Sequence, residues 1–176
     1  LCPRPRPPVI PTQTSQARVD RQADPVKAMA RLFIANAYAA DQAWPKNTRL
    51  HELRVISVFP KASVFLDEPR IGVAPQSLAR GVLGTVPIEG DGSVYCEIPT
   101  DVGVYFQVLD ETGAAVQTMR SITYAHEGEL LSCVGCHEHK QKPPRVARPA
   151  LVQALRNPPV QLRPEATGSY PLTFPR

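Results

Sequence analysis

The distribution of proline constrains this chain more than any other feature of its sequence. Twenty of its 176 residues are proline, roughly twice the average usage, and proline is costly inside helices and central strands. Thirteen of the twenty lie in the two end segments, residues 1–24 and 139–176. We therefore expect no helical bundle, and we expect extended, polyproline-like arms on either side of a folded middle segment.

Charge follows the same division of the chain. The two end segments carry net charges of +2 and +6, whereas residues 25–138 carry −4. A basic arm that binds nucleic acid needs interleaved aromatics or a recognition helix, and the second arm has only Tyr170 and Phe174, both near its end. We therefore expect no nucleic-acid partner. No run approaches 18 apolar residues, so no membrane-spanning helix is predicted either.

Short β-strands separated by turn residues dominate the middle of the sequence. The pattern predicts an all-β fold, a small antiparallel sandwich of the prealbumin or immunoglobulin kind, because extended runs recur every 8–12 residues with Gly/Asp turns between them. The third and fourth strands, on either side of Glu89–Ser93, are expected to pair as a hairpin. The predicted strands span Ala30–Tyr38, Leu50–Phe59, Val82–Ile88, Val94–Ile98, Val104–Leu109 and Ala115–Tyr124.

Three regions follow from these patterns. Residues 1–29 form a Pro/Arg-rich arm or linker, residues 30–142 a β-sandwich domain, and residues 143–176 a Pro/Arg-rich tail. The tail has one helical stretch, Pro149–Arg156, which Asn157 and two prolines stop. Because the chain starts at Leu1 without Met or a signal-like run, we expect it to be a piece of a longer protein.

One motif carries recognisable chemistry. Cys133-Val-Gly-Cys-His137 matches C-x-x-C-H, the attachment signature of c-type haem. Two thiols at this spacing add to the two vinyl groups of one haem, and the adjacent histidine lies beneath the iron as proximal ligand. Gly135, between them, would relieve crowding where the backbone passes the porphyrin. The sequence therefore predicts one covalent haem c in a loop at the C-terminal end of the sandwich, held by Cys133, Cys136 and His137.

Two other sites use C-x-x-C. A structural zinc site needs two further ligands, for which His139, Cys96, His126 and His51 are the candidates. A thioredoxin-like redox pair would stand at the start of a helix in a βαβ unit, and Lys142-Pro-Pro follows the motif too soon for a long helix. Haem attachment remains the favoured interpretation.

The sixth iron position is open to several residues. His139 lies two residues beyond the proximal ligand and so shares its side of the haem. Met119 and His126 precede the motif by enough residues to fold back over the other side, and His51 could reach it from another strand. An open or externally supplied sixth position is the remaining alternative.

Two cysteines are left after the motif is assigned. Haem attachment implies an oxidising compartment, in which Cys2 and Cys96 could form a disulfide that fastens the first arm to the sheet. The alternative is two unpaired thiols, or a partner outside this sequence.

Four blocks in a fixed order carry a resemblance to a known family. They are Gly84–Pro99, Tyr105–Gly113, Val116–Ser121 and Ser132–Glu138. Together they resemble the haem-bearing middle domain of the hydrazine synthase alpha subunit and related exported multidomain c-type cytochromes. The resemblance implies a periplasmic or otherwise exported protein with further haem domains.

The resemblance also implies a difference in iron ligation. In hydrazine synthase itself the motif histidine turns to a zinc ion and a tyrosine four residues later binds the iron. This sequence has Gln141 at that position, which favours ordinary ligation by His137.

We therefore expect electron transfer within a larger multihaem protein or complex, with other haem domains or redox subunits as partners. One alternative is a catalytic five-coordinate haem, as in hydrazine synthase, with polar groups such as Arg120 and Tyr124 converging on the iron. The other is a structural subunit of a larger assembly, whose Pro/Arg arms hold neighbours.

Overall fold

Seven strands form almost all of the regular structure. The computed structural model of the chain describes residues 29–41, 43–60, 64–65, 78–137 and 152–164. No helix in these ranges is long and apolar enough to cross a membrane. The elements are β1 (Ala30–Ile34), β2 (Leu50–Val58), β3 (Arg80–Pro87), β4 (Val94–Ile98), β5 (Gly103–Asp110), β6 (Ala115–Thr118), β7 (Leu130–Cys133) and a single 3-10 turn, Gln153–Arg156.

The strands make two sheets, one in the order β4-β1-β7 and the other in the order β3-β2-β5-β6. Every pair is antiparallel except β1 and β7, which run parallel. The predicted all-β sandwich is thus confirmed, with one parallel pair where a fully antiparallel arrangement was expected. The short strand β7, directly before the motif, was not predicted.

Alternating burial packs the two sheets on each other. In β1 and β4 every second residue is buried, as expected of a strand with one face on the core. Each buried aliphatic side chain of this size contributes roughly 1.5–3 kcal/mol relative to leaving it in water. The largest fully buried apolar side chains are Leu32, Leu53, Ile98, Leu109, Val55, Val86, Val94, Val104 and Val108.

The hairpin predicted around Glu89–Ser93 is wrong, because β3 and β4 belong to different sheets. The local turn does form: the Gly92 amide donates to the Glu89 carbonyl at 2.8 Å. However, the Gly92 carbonyl accepts from the Ala37 amide at 2.6 Å, which draws the turn toward the loop after β1. The chain therefore crosses from one sheet to the other at this point.

The tail closes one edge of the sandwich. Val160 bridges to Cys96 of β4, and Arg163 bridges to Thr85 of β3, so residues 152–164 lie along the outer strand of both sheets. The described part of the predicted helix Pro149–Arg156 is only the 3-10 turn, which ends before Pro158 and Pro159. The opposite edge, formed by β6 and β7, has no such strap among the described residues.

Candidate functional site

The parallel pairing of β1 and β7 continues past both strands and fixes the C-x-x-C-H motif. We call residues 35–41, which follow β1, the β1 loop. Its backbone runs beside residues 133–137 and exchanges hydrogen bonds with them. They are Ala35 N–H to the Cys133 carbonyl (2.9 Å), Asn36 N–H to the Val134 carbonyl (3.0 Å), Cys136 N–H to the Ala39 carbonyl (3.1 Å) and Asp41 N–H to the His137 carbonyl (2.9 Å).

Gly135 is required by this close approach. A Cβ at position 135 would overlap the carbonyl oxygen of Ala39 and press on its Cβ. From the sequence we expected the glycine to make room for the porphyrin. In the structure the neighbour that leaves no room for a side chain is Ala39 of the β1 loop.

The β1 loop also holds the side chain of His137. Asp41 Oδ1 lies 2.5 Å from His137 Nδ1. The His137 side chain is 45% exposed and that of Asp41 28% exposed, so the pair stands at the surface edge of the site. With Nδ1 engaged, Nε2 is the ring nitrogen that remains available for a ligand.

An inner cleft of about 570 Å³ opens between the two sheets beside the motif. Its volume lies within the ~300–1,000 Å³ usual for small-molecule and cofactor sites. Apolar side chains from both sheets line it, namely Ile34, Leu53, Phe106, Val108, Met119 and Leu131, together with Cys133, Gly135, Cys136 and His137. Gln117, Arg120, Ser121 and Thr123 complete the wall.

The candidates for the sixth ligand separate in space. Met119 is half-buried and lines the inner cleft with the motif, fixed there by its amide, which donates to the Phe106 carbonyl at 2.9 Å. His126 is exposed in the turn before β7, where its amide donates to the Glu129 carboxylate at 2.7 Å. Neither His126 nor His51, which is exposed on β2, lines this cleft.

An outer cleft of about 900 Å³ adjoins the first. It shares Gln117, Met119, Arg120, Ser121 and His137 with the inner cleft and adds Arg80, whose guanidinium lies 5.4 Å from the centre of the Tyr105 ring. Arg120, named above as a polar candidate, therefore lies at the site. Tyr124 does not line either cleft; it is 58% exposed and packs by Gly103.

The setting of the motif differs from that of a redox pair. A thioredoxin-like C-x-x-C stands at the start of a helix in a βαβ unit, whereas this motif follows β7 and the described residues contain no α-helix. The thioredoxin-like alternative is therefore disfavoured. Burial raises the pKa of the second thiol, Cys136, to about 12, and the neighbouring Cys133 adds to the rise.

The zinc site and the disulfide that the sequence left open involve both described residues and residues outside the described ranges. Across the described ranges, no three His, Cys, Asp or Glu side chains converge as a metal site would require. His139, Gln141 and Cys2 lie outside the described residues. Cys96, the predicted partner of Cys2, is fully buried in β4.

Sequence reasoning missed the β1 loop. Asp41 is 96 positions from His137, and no local pattern connects them. The sequence held only an indirect signal. If β1 is predicted to pair in parallel with β7, the residues that follow β1 must lie beside the motif that follows β7.

The fold and this geometry define a class: a two-sheet β-sandwich domain that presents a C-x-x-C-H loop at its open edge. The family model of the hydrazine synthase alpha subunit middle domain matches residues 37–138, more than half of the chain. The chain belongs to this family.

Two relatives extend the comparison. The hydrazine synthase subunit alpha of Kuenenia stuttgartiensis is 38% identical over 58 residues, which are 33% of this chain and 7% of that protein. A solved structure of Kuenenia stuttgartiensis hydrazine synthase superposes with a TM-score of 0.53 at 21% identity, over 74% of this chain and 20% of that one. The similarity in structure supports the fold, and the chain spans only a small part of either relative.

Proposed function

We propose that this domain binds one covalent haem c and passes electrons within a larger protein. The observation that carries the proposal is the inner cleft, whose apolar walls meet both cysteines and the histidine of C-x-x-C-H. An apolar cavity with a few polar groups at defined positions is the usual form of a cofactor site. The residues present therefore fit a haem.

Each residue has a defined role in this proposal. Cys133 and Cys136 would form the two thioethers, and His137 would offer Nε2 to the iron while Asp41 holds Nδ1. Met119 would be the favoured second iron ligand, because it lines the same cleft as the motif. A bound haem supplies an iron that gains and loses one electron. Ile34, Leu53 and Phe106 exclude water from the cavity.

The partners follow from the family. The relatives are much longer than this chain, so we place the domain in a larger complex, beside other haem domains or redox subunits. Covalent haem attachment favours a periplasmic or otherwise exported location.

A second candidate function is catalysis at an open iron. The outer cleft favours it, because Arg80 and Arg120 line a cavity of about 900 Å³ that also contacts His137. Such a cavity suits a small polar or anionic molecule. The two functions differ in whether a side chain occupies the sixth iron position.

Carbon monoxide binding to the reduced, natively purified protein separates the two functions. If Met119 is a ligand, carbon monoxide leaves the wild-type spectrum unchanged because the sixth iron position is occupied. The Met119→Leu variant has that position open, and we expect it to bind carbon monoxide. Met29→Leu is the matched control, since Met29 is the other methionine of the chain and lines neither cleft. A wild-type protein that binds carbon monoxide would favour catalysis, and a Met119→Leu variant that does not would refute the ligand assignment.

A further inference from the structure

Asp41 contacts His137 twice. Its backbone amide donates to the His137 carbonyl at 2.9 Å, and its carboxylate Oδ1 lies 2.5 Å from His137 Nδ1. A carboxylate accepts and does not donate, so the ring Nδ1–H is the donor. The two contacts fix both the position of the histidine backbone and the rotation of its ring.

The arrangement matches a recurrent feature of metal-binding histidines. Such a histidine donates its second ring N–H to a carboxylate or carbonyl, which sets its orientation and makes the ligating nitrogen a stronger donor. A stronger donor favours the more highly charged, oxidised iron, and hydrogen bonding around the ligands is one of the means by which proteins set haem potentials. The backbone bond alone would orient the loop but would not have this electronic effect.

We propose that Asp41 is a positioning residue that orients His137 toward the haem iron and lowers the midpoint potential of the haem. The proposal rests on the haem-binding function proposed above. Its new content is the role of Asp41 and the direction of the effect. The pair is partly exposed to solvent, so screening by water limits the size of the shift.

Asp41→Asn is the informative variant. It removes the negative charge and retains both a side-chain oxygen acceptor and the backbone bond to His137. We expect about a tenfold higher ratio of reduced to oxidised haem at a fixed applied potential, which corresponds to a rise of about 59 mV for a one-electron couple. Asp41→Glu retains the charge and is expected to keep the ratio close to that of the wild type.

Glu111→Gln is the charge-matched control. Glu111 follows β5, is 57% exposed, pairs with Arg49 at 3.3 Å and lines neither cleft. We expect it to leave the ratio unchanged. The spectroelectrochemical titration is accompanied by resonance Raman of the iron–histidine stretch, recorded on the reduced proteins with Met119→Leu added to each so that the iron is five-coordinate. We expect this stretch to fall in frequency in Asp41→Asn and to stay constant in Glu111→Gln.

The outcomes distinguish the two proposals. A wild-type protein purified natively without covalent haem overturns the proposed function and the role of Asp41 together. A haem-loaded Asp41→Asn whose potential and iron–histidine frequency equal those of Glu111→Gln overturns the role of Asp41 alone, and limits it to holding the loop. A shift confined to Asp41→Asn supports the proposal.

Discussion

At the scale of single residues, the backbone of Ala39 restricts position 135, between the two cysteines of the motif, to glycine. Its carbonyl oxygen accepts from the Cys136 amide at 3.1 Å and lies where a side chain at position 135 would begin. The constraint on Gly135 therefore comes from the protein's own backbone, and it holds whether or not a haem is bound.

Gly135→Ala is expected to destabilise the haem-loaded domain. Overpacking of this kind typically costs about 1–3 kcal/mol, because the β1 loop has to move away from the motif. Gly90→Ala is the control, since a Cβ there would find its nearest neighbour, the side-chain oxygen of Gln153, at 3.7 Å. Denaturant unfolding of both variants and the wild type measures the difference. Equal midpoints for the two variants would contradict the packing argument.

Because Cys96 is buried, we expect the free energy of unfolding to fall at high pH. Burial, with a smaller contribution from Glu97, raises the pKa of the Cys96 thiol from its ordinary value of 9.0 to about 12. Above pH 9 the unfolded chain releases this proton while the folded protein retains it. The stabilisation is thus complete below pH 9 and is lost as the pH rises toward 12.

The Cys96→Ala variant isolates this effect in the haem-loaded protein. Lysines and tyrosines titrate in the same range in both proteins, so only the difference between the two stability curves is informative. We expect the free energy of unfolding of the wild type to fall more steeply than that of the variant between pH 9 and pH 11. Parallel curves in a denaturation series would show that Cys96 is not the source.

The C-x-x-C-H motif could be proposed as a haem site from spacing alone, because its chemistry depends on near neighbours in sequence, and this assignment stays a prediction. Asp41 could not, since only the parallel pairing of two strands distant in sequence brings it to His137. Met119 was one of several candidates for the sixth iron ligand. Its place in the inner cleft depends on the pairing of the residues after β6 with β5, where the Met119 amide donates to the Phe106 carbonyl. Sequence periodicity does not determine this pairing.

At the scale of secondary-structure elements, alternation predicted most strands but not the sheet to which each belongs. The runs that became β2, β4 and β5 were predicted within one or two residues. The turn at Glu89–Ser93 has hairpin chemistry, yet contacts from Gly92 to Ala37 carry the chain into the other sheet. Strand membership is thus decided by tertiary contacts that local sequence does not contain.

Asp91 fastens the tail to this turn. Its carboxylate accepts from the Ser93 amide (3.0 Å) and, on its other oxygen, from the Gln153 amide (2.8 Å). Burial acts to raise the pKa of Asp91, but hydrogen bonds from Ser93 and Gln153 outweigh it and hold the pKa below its usual value. The 3-10 turn is therefore held by a carboxylate that remains charged in mild acid.

Asp91→Ala is expected to loosen residues 152–164 and to cost on the order of 1 kcal/mol. Hydrogen exchange should accelerate at the amides of Val160 and Arg163, which pair with β4 and β3. Asp110→Ala is the control, because Asp110 accepts from Thr112 and Ala114 within its own turn and has no bond to the tail. Equal exchange of the tail amides in both variants would refute the anchoring role.

At the scale of the whole molecule, one edge of the sandwich is covered by the tail and the other holds the inner cleft and the motif. The tail lies along β3 and β4, while the inner cleft and the motif occupy the edge formed by β6 and β7. A cofactor that enters at the open edge would complete the core between the sheets.

The measurement that tests this account most directly is covalent haem content of the natively purified protein. The protein is extracted with acidified acetone, assayed as the pyridine haemochrome, digested and analysed by mass spectrometry. We predict one haem per chain that stays with the protein and is found on the peptide that contains Cys133 and Cys136. Haem that leaves with the acetone, or a peptide with two unmodified thiols, would contradict the account.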